Sequence, residues 1–245
     1  WMQQRLSQCG MRPINSVVDV SNYVMLEYGQ PNHTYDLAKV AGRHLGVRRA
    51  RSGEQIVTLD SQTRELDARD GVIVDGNDVA IGIAGVMGGE STEISDSTDS
   101  VLLELAWWDP SSISFTSKRL GLRSEASSRY EKGVDPEIAA LAARRVAELR
   151  VAQGATLHPG EVVAEGNLPA PSVVTARTRR VNALLGSELE SVQIRAYLES
   201  IGFGCTATDD PDVTTVTIPS WRPDSTAEID LVEEVARLHG YERLG

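Results

Sequence analysis

Apolar and polar positions alternate along the chain with two different periods, and these predict a mixture of helices and strands. Apolar side chains recur at helical spacing over residues 14–28 and again over 136–152. The segments 46–51 and 101–106 are typical of strands, and the second is apolar enough to predict a strand buried on both faces. The first part of the chain is therefore predicted to be mixed α and β.

Two β-hairpins are indicated between these elements. The polar run Asp60-Ser61-Gln62 separates residues 56–59 from 63–66. The run Asp75-Gly76-Asn77-Asp78 separates residues 72–74 from 79–83. Both connections carry residues that favour tight turns, so we expect four short antiparallel strands here.

The pattern changes after a proline-containing stretch, 165–172, which we interpret as a linker. Beyond it, residues 178–185, 190–201 and 225–239 have helical spacing and residues 213–218 resemble a strand. This order predicts a small winged-helix-like module. The fold class expected from the sequence is α+β, with a mixed α/β domain at 1–166 and a winged-helix-like α/β domain at 170–245.

The composition restricts the possible classes of protein. The 245 residues include 24 Lys and Arg against 35 Asp and Glu, a net charge of -11, which disfavours general binding to a polyanion. Two cysteines, Cys9 and Cys205, exclude a disulfide scaffold. No apolar run reaches membrane-spanning length, and the N-terminus has no signal-peptide pattern or helix cap. We expect a piece of a longer cytoplasmic protein with no membrane partner.

Three features of the first part could carry chemistry. Glu104 lies in an apolar strand, so it either points to solvent or is a buried acceptor in a binding pocket. The run 82–90 holds four glycines after a strand and is either a loose turn or a close approach to a ligand, but it is not a phosphate-binding loop. His33, in an apparent loop, is either structural or catalytic, and Asn22 precedes it.

Each of the charged clusters in the sequence has two possible interpretations. Five cations within 118–132, and Arg48, Arg49 and Arg51, either contact phosphates or form a salt-bridged surface. Near the C-terminus, Asp230, Glu233 and Glu234 share a helical face and follow Asp224. Their oxygens suit Mg²⁺, but the plain alternative is a solvent-facing helix surface in which Glu233 pairs with Arg237.

Several long runs together resemble the β subunit of bacterial phenylalanyl-tRNA synthetase. They span most of the chain and occur in the same order as in that family. The matching runs are 11–25 (MRPINSVVDVSNYVM), 82–89 (GIAGVMGG), 123–127 (RSEAS), 133–136 (GVDP), 219–224 (PSWRPD) and 233–237 (EEVAR). The resemblance implies the B3/B4 editing region before the linker and the B5 domain after it.

The implied activity is the hydrolysis of tyrosine wrongly attached to tRNA(Phe), because a phenylalanine pocket rejects an added hydroxyl poorly. Glu104 matches the position that accepts the tyrosine hydroxyl. Asn22 and His33 match positions near the scissile ester, where they would orient water or the terminal adenosine, and with Glu104 they form the expected catalytic set. Proton abstraction by His33 and a water aided by the substrate's ribose hydroxyl are both open. The remaining pocket positions are small, and Ser21 stands where relatives often carry Thr; this set is Ser21, Ala84, Gly85, Gly88, Ser124 and Ala126.

The resemblance also implies partners that this chain does not contain. The parent enzyme is a heterotetramer of two α and two β subunits that acts on tRNA(Phe) and phenylalanine with ATP, and its aminoacylation belongs to the α subunit. Asp224, Asp230, Glu233 and Glu234 match positions for a Mg²⁺ ion shared with that α subunit.

Two other hypotheses stay open at this point. The chain could be a non-catalytic structural, subunit-contact and RNA-binding module of the synthetase. A winged-helix-like second part could also bind DNA, although residues 170–245 carry seven Lys and Arg against twelve Asp and Glu.

Overall fold

The computed structural model describes residues 1–245, which form eight α-helices and eleven β-strands. The helices are α1 Met2–Gln8, α2 Ser16–Tyr28, α3 Pro110–Leu120, α4 Glu125–Tyr130, α5 Ala139–Ala152, α6 Thr178–Leu185, α7 Ser191–Ser200 and α8 Glu228–His239. The strands are β1 Asn32–Asp36, β2 Gly46–Arg49, β3 Gln55–Val57, β4 Thr63–Glu65, β5 Gly71–Val74, β6 Ala80–Ile83, β7 Met87–Gly88, β8 Val101–Leu105, β9 Val173–Arg177, β10 Gly204–Ala207 and β11 Val213–Thr217.

Capping residues determine where α2 and α3 begin and end. The Asn15 side chain accepts the first free amides of α2, and Gly29, at a φ of 71°, ends that helix in the left-handed region. Asp109 caps α3 in the same way, with Pro110 at its first turn, and Gly121 ends it at a φ of 59°. Gly29 thus ends α2 shortly before β1 begins at Asn32.

The chain divides into two compact units, Trp1–Ala164 and Glu165–Gly245. The first unit contains three β structures: the antiparallel pair β1–β8, the sheet β2-β5-β6-β7, and the hairpin β3–β4. Around them pack α1 to α5. The sequence predicted domains at 1–166 and 170–245.

The β1–β8 pair, which we call the central ribbon, has an apolar cluster on each face. Leu103 and Leu105 pack against the helical cluster formed by residues of α1, α2 and α5. Leu102 packs on the other side, in a cluster that includes Tyr35 and Ala84. Because side chains alternate along a strand, Glu104 shares the face of Leu102.

The second unit packs three helices against the antiparallel sheet β10-β11-β9. Its own core includes Val181 on α6, Leu198 on α7, Val216 on β11 and Leu231 on α8, all fully buried. The predicted order of helix, helix, strand and helix is present, and β9 and β10 are added to it.

The structure corrects several expectations about the elements. His33 lies in a strand, β1, and not in a loop. The strand at 101–105 is half-buried along its length instead of fully buried. The helices predicted to start at 136 and 225 begin at Ala139 and Glu228. The sequence patterns also missed α1, α3, α4, β1, β7, β9 and β10.

Candidate active site

The central ribbon places His33, Tyr35 and Glu104 on one face. His33 lies directly opposite Glu104 in the antiparallel register, and Tyr35 lies opposite Leu102. Directly opposed and diagonal side chains are within reach of each other on such a pair. This face is directed toward the cluster that contains Ala84. Glu104 therefore does not point into bulk solvent, which was one of its two interpretations from the sequence.

Glu104 is a half-buried carboxyl group with one internal partner. Its Oε2 accepts a hydrogen bond of 2.7 Å from the Tyr35 hydroxyl, whereas Oε1 accepts none from the protein. Burial raises the pKa of Glu104 to about 7, against a smaller lowering by the Tyr35 hydrogen bond. The carboxyl therefore gains and loses its proton near neutral pH.

His33 is neutral at physiological pH because burial lowers its pKa to about 4. Its ring packs edge-on against Tyr35 with the centroids 4.5 Å apart. The ring atom Nε2 is buried and has no hydrogen-bond partner. A polar atom in that state has a free hydrogen-bonding site for a ligand or a water molecule.

The absence of a side chain at Gly88 makes space for the imidazole ring of His33. A Cβ added at Gly88 would lie 2.5 Å from His33 Nε2, closer than side-chain atoms approach each other. The backbone of Gly88 thus forms one wall beside the imidazole. The structure thus places His33 next to both Gly88 and Glu104, although the sequence placed His33 near the ester and Glu104 at the phenol hydroxyl.

Ala84 and Gly85 lie deeper than the pocket role requires. Ala84 is buried in the cluster that contains Tyr35. Gly85 has a φ of 67°, and the space where its side chain would be is taken by Ile113 and Trp108, 2.8 Å from an added Cβ. The protein's own side chains fill this space, so in this structure both residues act in packing.

The other predicted pocket residues secure the elements around the ribbon. Ser124 caps α4, and its hydroxyl donates to the Val86 carbonyl at 2.6 Å, which fixes α4 to the glycine-rich run. Ala126 packs on the cluster that contains Val86. Ser21 is buried on α2 and donates to the Asn32 carbonyl at 3.0 Å. Asn22, half-buried on the same helix, follows it.

The sequence patterns did not single out Gln30, Tyr35 or Tyr130. The Gln30 amide and the Tyr130 hydroxyl both donate to the carbonyls of Pro31 and Ala106, which ties the ends of β1 and β8 to α4. Burial, and to a smaller extent Glu104, raise the pKa of Tyr130, so that hydroxyl stays a donor. For Tyr35 a signal existed, because it follows His33 by two residues and so shares its strand face.

The positive clusters are largely neutralised within the chain. Arg48 pairs with Glu54 and with Asp78, and Arg51 pairs with Asp78. In the run 118–132, the ion pairs are Arg119 with Asp70, Arg123 with Glu131, and Arg129 with Glu125. These contacts support a salt-bridged surface.

The four acidic residues of the second unit do not fit a metal centre on this chain, which holds no group of three or more metal-ligating side chains. Asp224 pairs with Arg222, and Glu234 pairs with both Arg222 and Arg237. The Asp230 carboxylate accepts the amides that precede α8. Glu233 is exposed, and the predicted Glu233–Arg237 pair is replaced by Glu234–Arg237. A Mg²⁺ ion shared with another subunit stays a prediction.

Two family models match the chain, one for each unit. The model described as the B3/4 domain matches residues 1–152, and the model described as the tRNA synthetase B5 domain matches residues 174–241. None of the helices has both the length and the apolar character needed to cross a lipid bilayer.

Curated relatives match over the whole chain. The phenylalanine–tRNA ligase beta subunits of Staphylococcus saprophyticus, Geobacter sulfurreducens and Moorella thermoacetica are 43%, 44% and 45% identical to it over 100% of its length. The chain spans 30% of the length of each of these relatives.

A solved structure, an N-terminal fragment of the phenylalanyl-tRNA synthetase beta subunit from Pyrococcus horikoshii, is 14% identical with a TM-score of 0.45. The match covers 92% of this chain and 65% of that one, and at this level it supports no conclusion about function. The chain belongs to the B3/4 domain family, carries a tRNA synthetase B5 domain in its second unit, and over its full length is similar to phenylalanine–tRNA ligase beta subunits.

Proposed function

We propose that the first unit is an editing hydrolase that removes tyrosine wrongly attached to tRNA(Phe). The observation that carries this proposal is the position of Glu104. Its carboxyl group is half-buried opposite His33 and accepts a phenolic hydroxyl, that of Tyr35, at 2.7 Å. The same group has a second oxygen, Oε1, for the phenol of a ligand.

Discrimination follows from the cost of an unpaired carboxylate. A tyrosine ring donates its hydroxyl to Glu104, whereas a phenylalanine ring covers the carboxylate and offers nothing. Leaving a buried polar group unsatisfied costs on the order of 1–3 kcal/mol, more when it is charged. The editing site therefore binds tyrosine, which has a hydroxyl to donate, and rejects phenylalanine, which has none. A hydrophobic synthetic pocket cannot make this distinction well, because it rejects an added hydroxyl poorly.

The register of the ribbon supports a revised role for His33. Because His33 lies directly across from Glu104, we place it at the phenol end of the ligand and not at the ester. Its neutral ring, with Nε2 free, is suited to a hydrogen bond with the phenol or with a bound water molecule. The ester then lies away from this pair, and Asn22 on α2 is the candidate for orienting the attacking water.

The reaction needs no group beyond water. Water adds to the ester carbonyl carbon, the bond from that carbon to the ribose oxygen breaks, and the ribose oxygen takes a proton. The products are free tyrosine and uncharged tRNA. In this proposal the substrate's neighbouring ribose hydroxyl assists the water as a proton acceptor.

The similarity to beta subunits supports two further parts of the proposal. The chain acts within a longer β subunit, together with an α subunit that attaches phenylalanine to tRNA(Phe) with ATP. The second unit, with its partly exposed Trp221, Ile229 and Tyr241, contributes to contacts with other parts of that assembly.

The test is deacylation of tyrosyl-tRNA(Phe) by the complete synthetase carrying Glu104→Ala. We expect the rate for the tyrosyl ester to fall at least tenfold, because the acceptor of its hydroxyl is lost. Glu161→Ala, at an exposed glutamate of the same unit, is the control and should hydrolyse at the unsubstituted rate. Undiminished hydrolysis by the Glu104 variant would exclude the proposed role.

A purely structural, subunit-contact role is the second candidate, and the exposed apolar side chains of the second unit favour it. Titration of the 245-residue chain with tyrosyl-tRNA(Phe) separates the two candidates. Binding with slow deacylation supports the hydrolase, whereas a folded but inert chain supports the structural role.

A further inference from the structure

Tyr35 is fully buried, yet its hydroxyl reaches the one carboxyl group of the candidate site. It stands on β1 opposite Leu102, so Glu104 is its diagonal neighbour across the ribbon. The ring is enclosed by an apolar cluster that includes Ile73 and Ile81, and its hydroxyl has Glu104 Oε2 as its acceptor. A rigid aromatic side chain held in this way has little freedom to release the carboxyl group.

We propose that Tyr35 is the positioning residue of this site: its hydroxyl holds Oε2 of Glu104 so that Oε1 is presented to the phenol of the ligand. This role rests on the editing function proposed above. This role explains why the Glu104 carboxyl group has one internal partner and one free oxygen. Tyr35 would then determine specificity without contacting the ligand.

The geometry allows two phenols on one carboxylate. An ionised carboxylate has four lone-pair positions on two oxygens, so a ligand hydroxyl at Oε1 need not displace Tyr35 from Oε2. Without Tyr35, the carboxyl group would be free to rotate, and both of its oxygens would be equivalent. The fixed partner therefore selects one orientation before the ligand arrives, which lowers the cost of ordering on binding.

Tyr35 also favours the form of Glu104 that accepts a hydrogen bond. The titratable groups facing this carboxyl are Tyr35 and neutral His33 on β1 and the Tyr130 hydroxyl of α4. Burial, and then Glu104, raise the pKa of Tyr35, so it remains a donor at every working pH. Its hydrogen bond is the contact that opposes protonation of Glu104.

The test compares Tyr35→Phe with a matched control, Tyr23→Phe. Tyr23 is also a buried tyrosine whose hydroxyl donates to a glutamate, Glu27, but it lies in the helical cluster on the other side of the ribbon. The first measurement is the pH titration of the Glu104 carboxyl carbon by NMR in the 245-residue chain. The second is the ratio of tyrosyl to phenylalanyl ester hydrolysis against pH in the complete synthetase.

We expect Tyr35→Phe to move the Glu104 titration midpoint upward, to move the pH profile of the ratio in the same direction, and to lower the ratio at pH 7 roughly tenfold. Tyr23→Phe should change none of these. If a folded Tyr35→Phe protein keeps the midpoint and the ratio of the unsubstituted protein, the positioning role is wrong.

Two further outcomes are separable. If the unsubstituted synthetase hydrolyses neither ester, the editing proposal fails, while an unchanged Glu104 titration in Tyr35→Phe would overturn the positioning role by itself. If Tyr35→Phe does not fold, 3-fluorotyrosine at position 35 keeps the ring and makes the hydroxyl a stronger donor. The midpoint must then move downward, and an unmoved midpoint overturns the proposal.

Discussion

Glu104 and His33 face each other across two strands, and burial moves their pKa values in opposite directions. The pKa of Glu104 is raised from 4.5 to about 7, so its contribution to stability is present below pH 4.5 and is lost as the pH rises through about 7. The pKa of His33 is lowered from 6.5 to about 4, so its contribution is present above pH 6.5 and is lost as the pH falls through about 4. Between pH 4.5 and 6.5, Glu104 therefore makes the free energy of unfolding fall with rising pH, whereas His33 makes it rise.

Single substitutions should reveal each slope. In Glu104→Gln, the free energy of unfolding, relative to the unsubstituted chain, should rise with pH across this window, by about 2–3 kcal/mol. In His33→Gln it should fall with pH across the same window by a similar amount. Urea unfolding at half-unit pH intervals measures both, and difference curves without slope would show that the two groups titrate normally.

Gly88 is the residue whose replacement should disturb the site most directly. In Gly88→Ala, the new Cβ would lie 2.5 Å from His33 Nε2, so the imidazole must move. We expect a loss of about 1–3 kcal/mol in the free energy of unfolding, together with loss of tyrosyl ester hydrolysis.

Gly166→Ala is the control for this change, because nothing lies within 4 Å of a Cβ at that position. It should change stability by less than about 0.5 kcal/mol. Normal hydrolysis and stability in Gly88→Ala would mean that the wall beside His33 is not part of the site.

At the scale of elements, α2 contacts the start of β1 through Ser21, and α2 itself is capped by Asn15. The Asn15 side chain accepts the amides of Val17 and Val18 at the start of α2. Asn15→Ala should therefore lower the free energy of unfolding by about 1 kcal/mol. Asn15→Asp keeps the acceptor and should stay within a few tenths of the unsubstituted value in urea unfolding. Equal losses in the two variants would exclude capping as the cause.

Elements with strong local signals were predictable from the sequence, and those made by distant pairing were not. The helix at Ser16–Tyr28 and both hairpins follow from periodicity and turn residues. The strand β1 was missed because its polar run shows no alternation of its own and its partner, β8, is far along the chain. For α3 the signal was available, since Asp109 with Pro110 and Gly121 marks its two ends.

The candidate site divides in the same way. The family resemblance singled out Glu104 and Gly88, and their roles in binding stay predictions. The position of His33 opposite Glu104 could not be predicted without the strand register. The Tyr35–Glu104 hydrogen bond could not be predicted without both the register and the direction of the buried Tyr35 side chain. In the second unit, helical spacing could not reveal that Arg222 and Arg237 both pair with Glu234, whereas a Mg²⁺ ion shared with another subunit stays a prediction.

At the scale of the whole molecule, each unit has its own core, and the candidate site lies entirely in the first. Leu198→Ala, at a fully buried position of the second unit, should lower the free energy of unfolding of that unit by about 2–5 kcal/mol. Leu184→Ala, at an exposed leucine of the same unit, should have little effect. Calorimetry of the chain measures both variants, and the NMR signals of His33 and Glu104 should be unchanged in each. Altered signals would show that the site depends on the second core.

The two strands of the central ribbon come from segments on either side of the whole β2–β7 region. During synthesis on the ribosome, the His33 segment emerges long before the segment that carries Glu104. Until β8 has been synthesised, β1 has neither its pairing partner nor the carboxyl group of Glu104. A nascent polypeptide that ends before residue 101 therefore lacks both the partner strand of β1 and Glu104, which the proposed editing function requires for binding tyrosine.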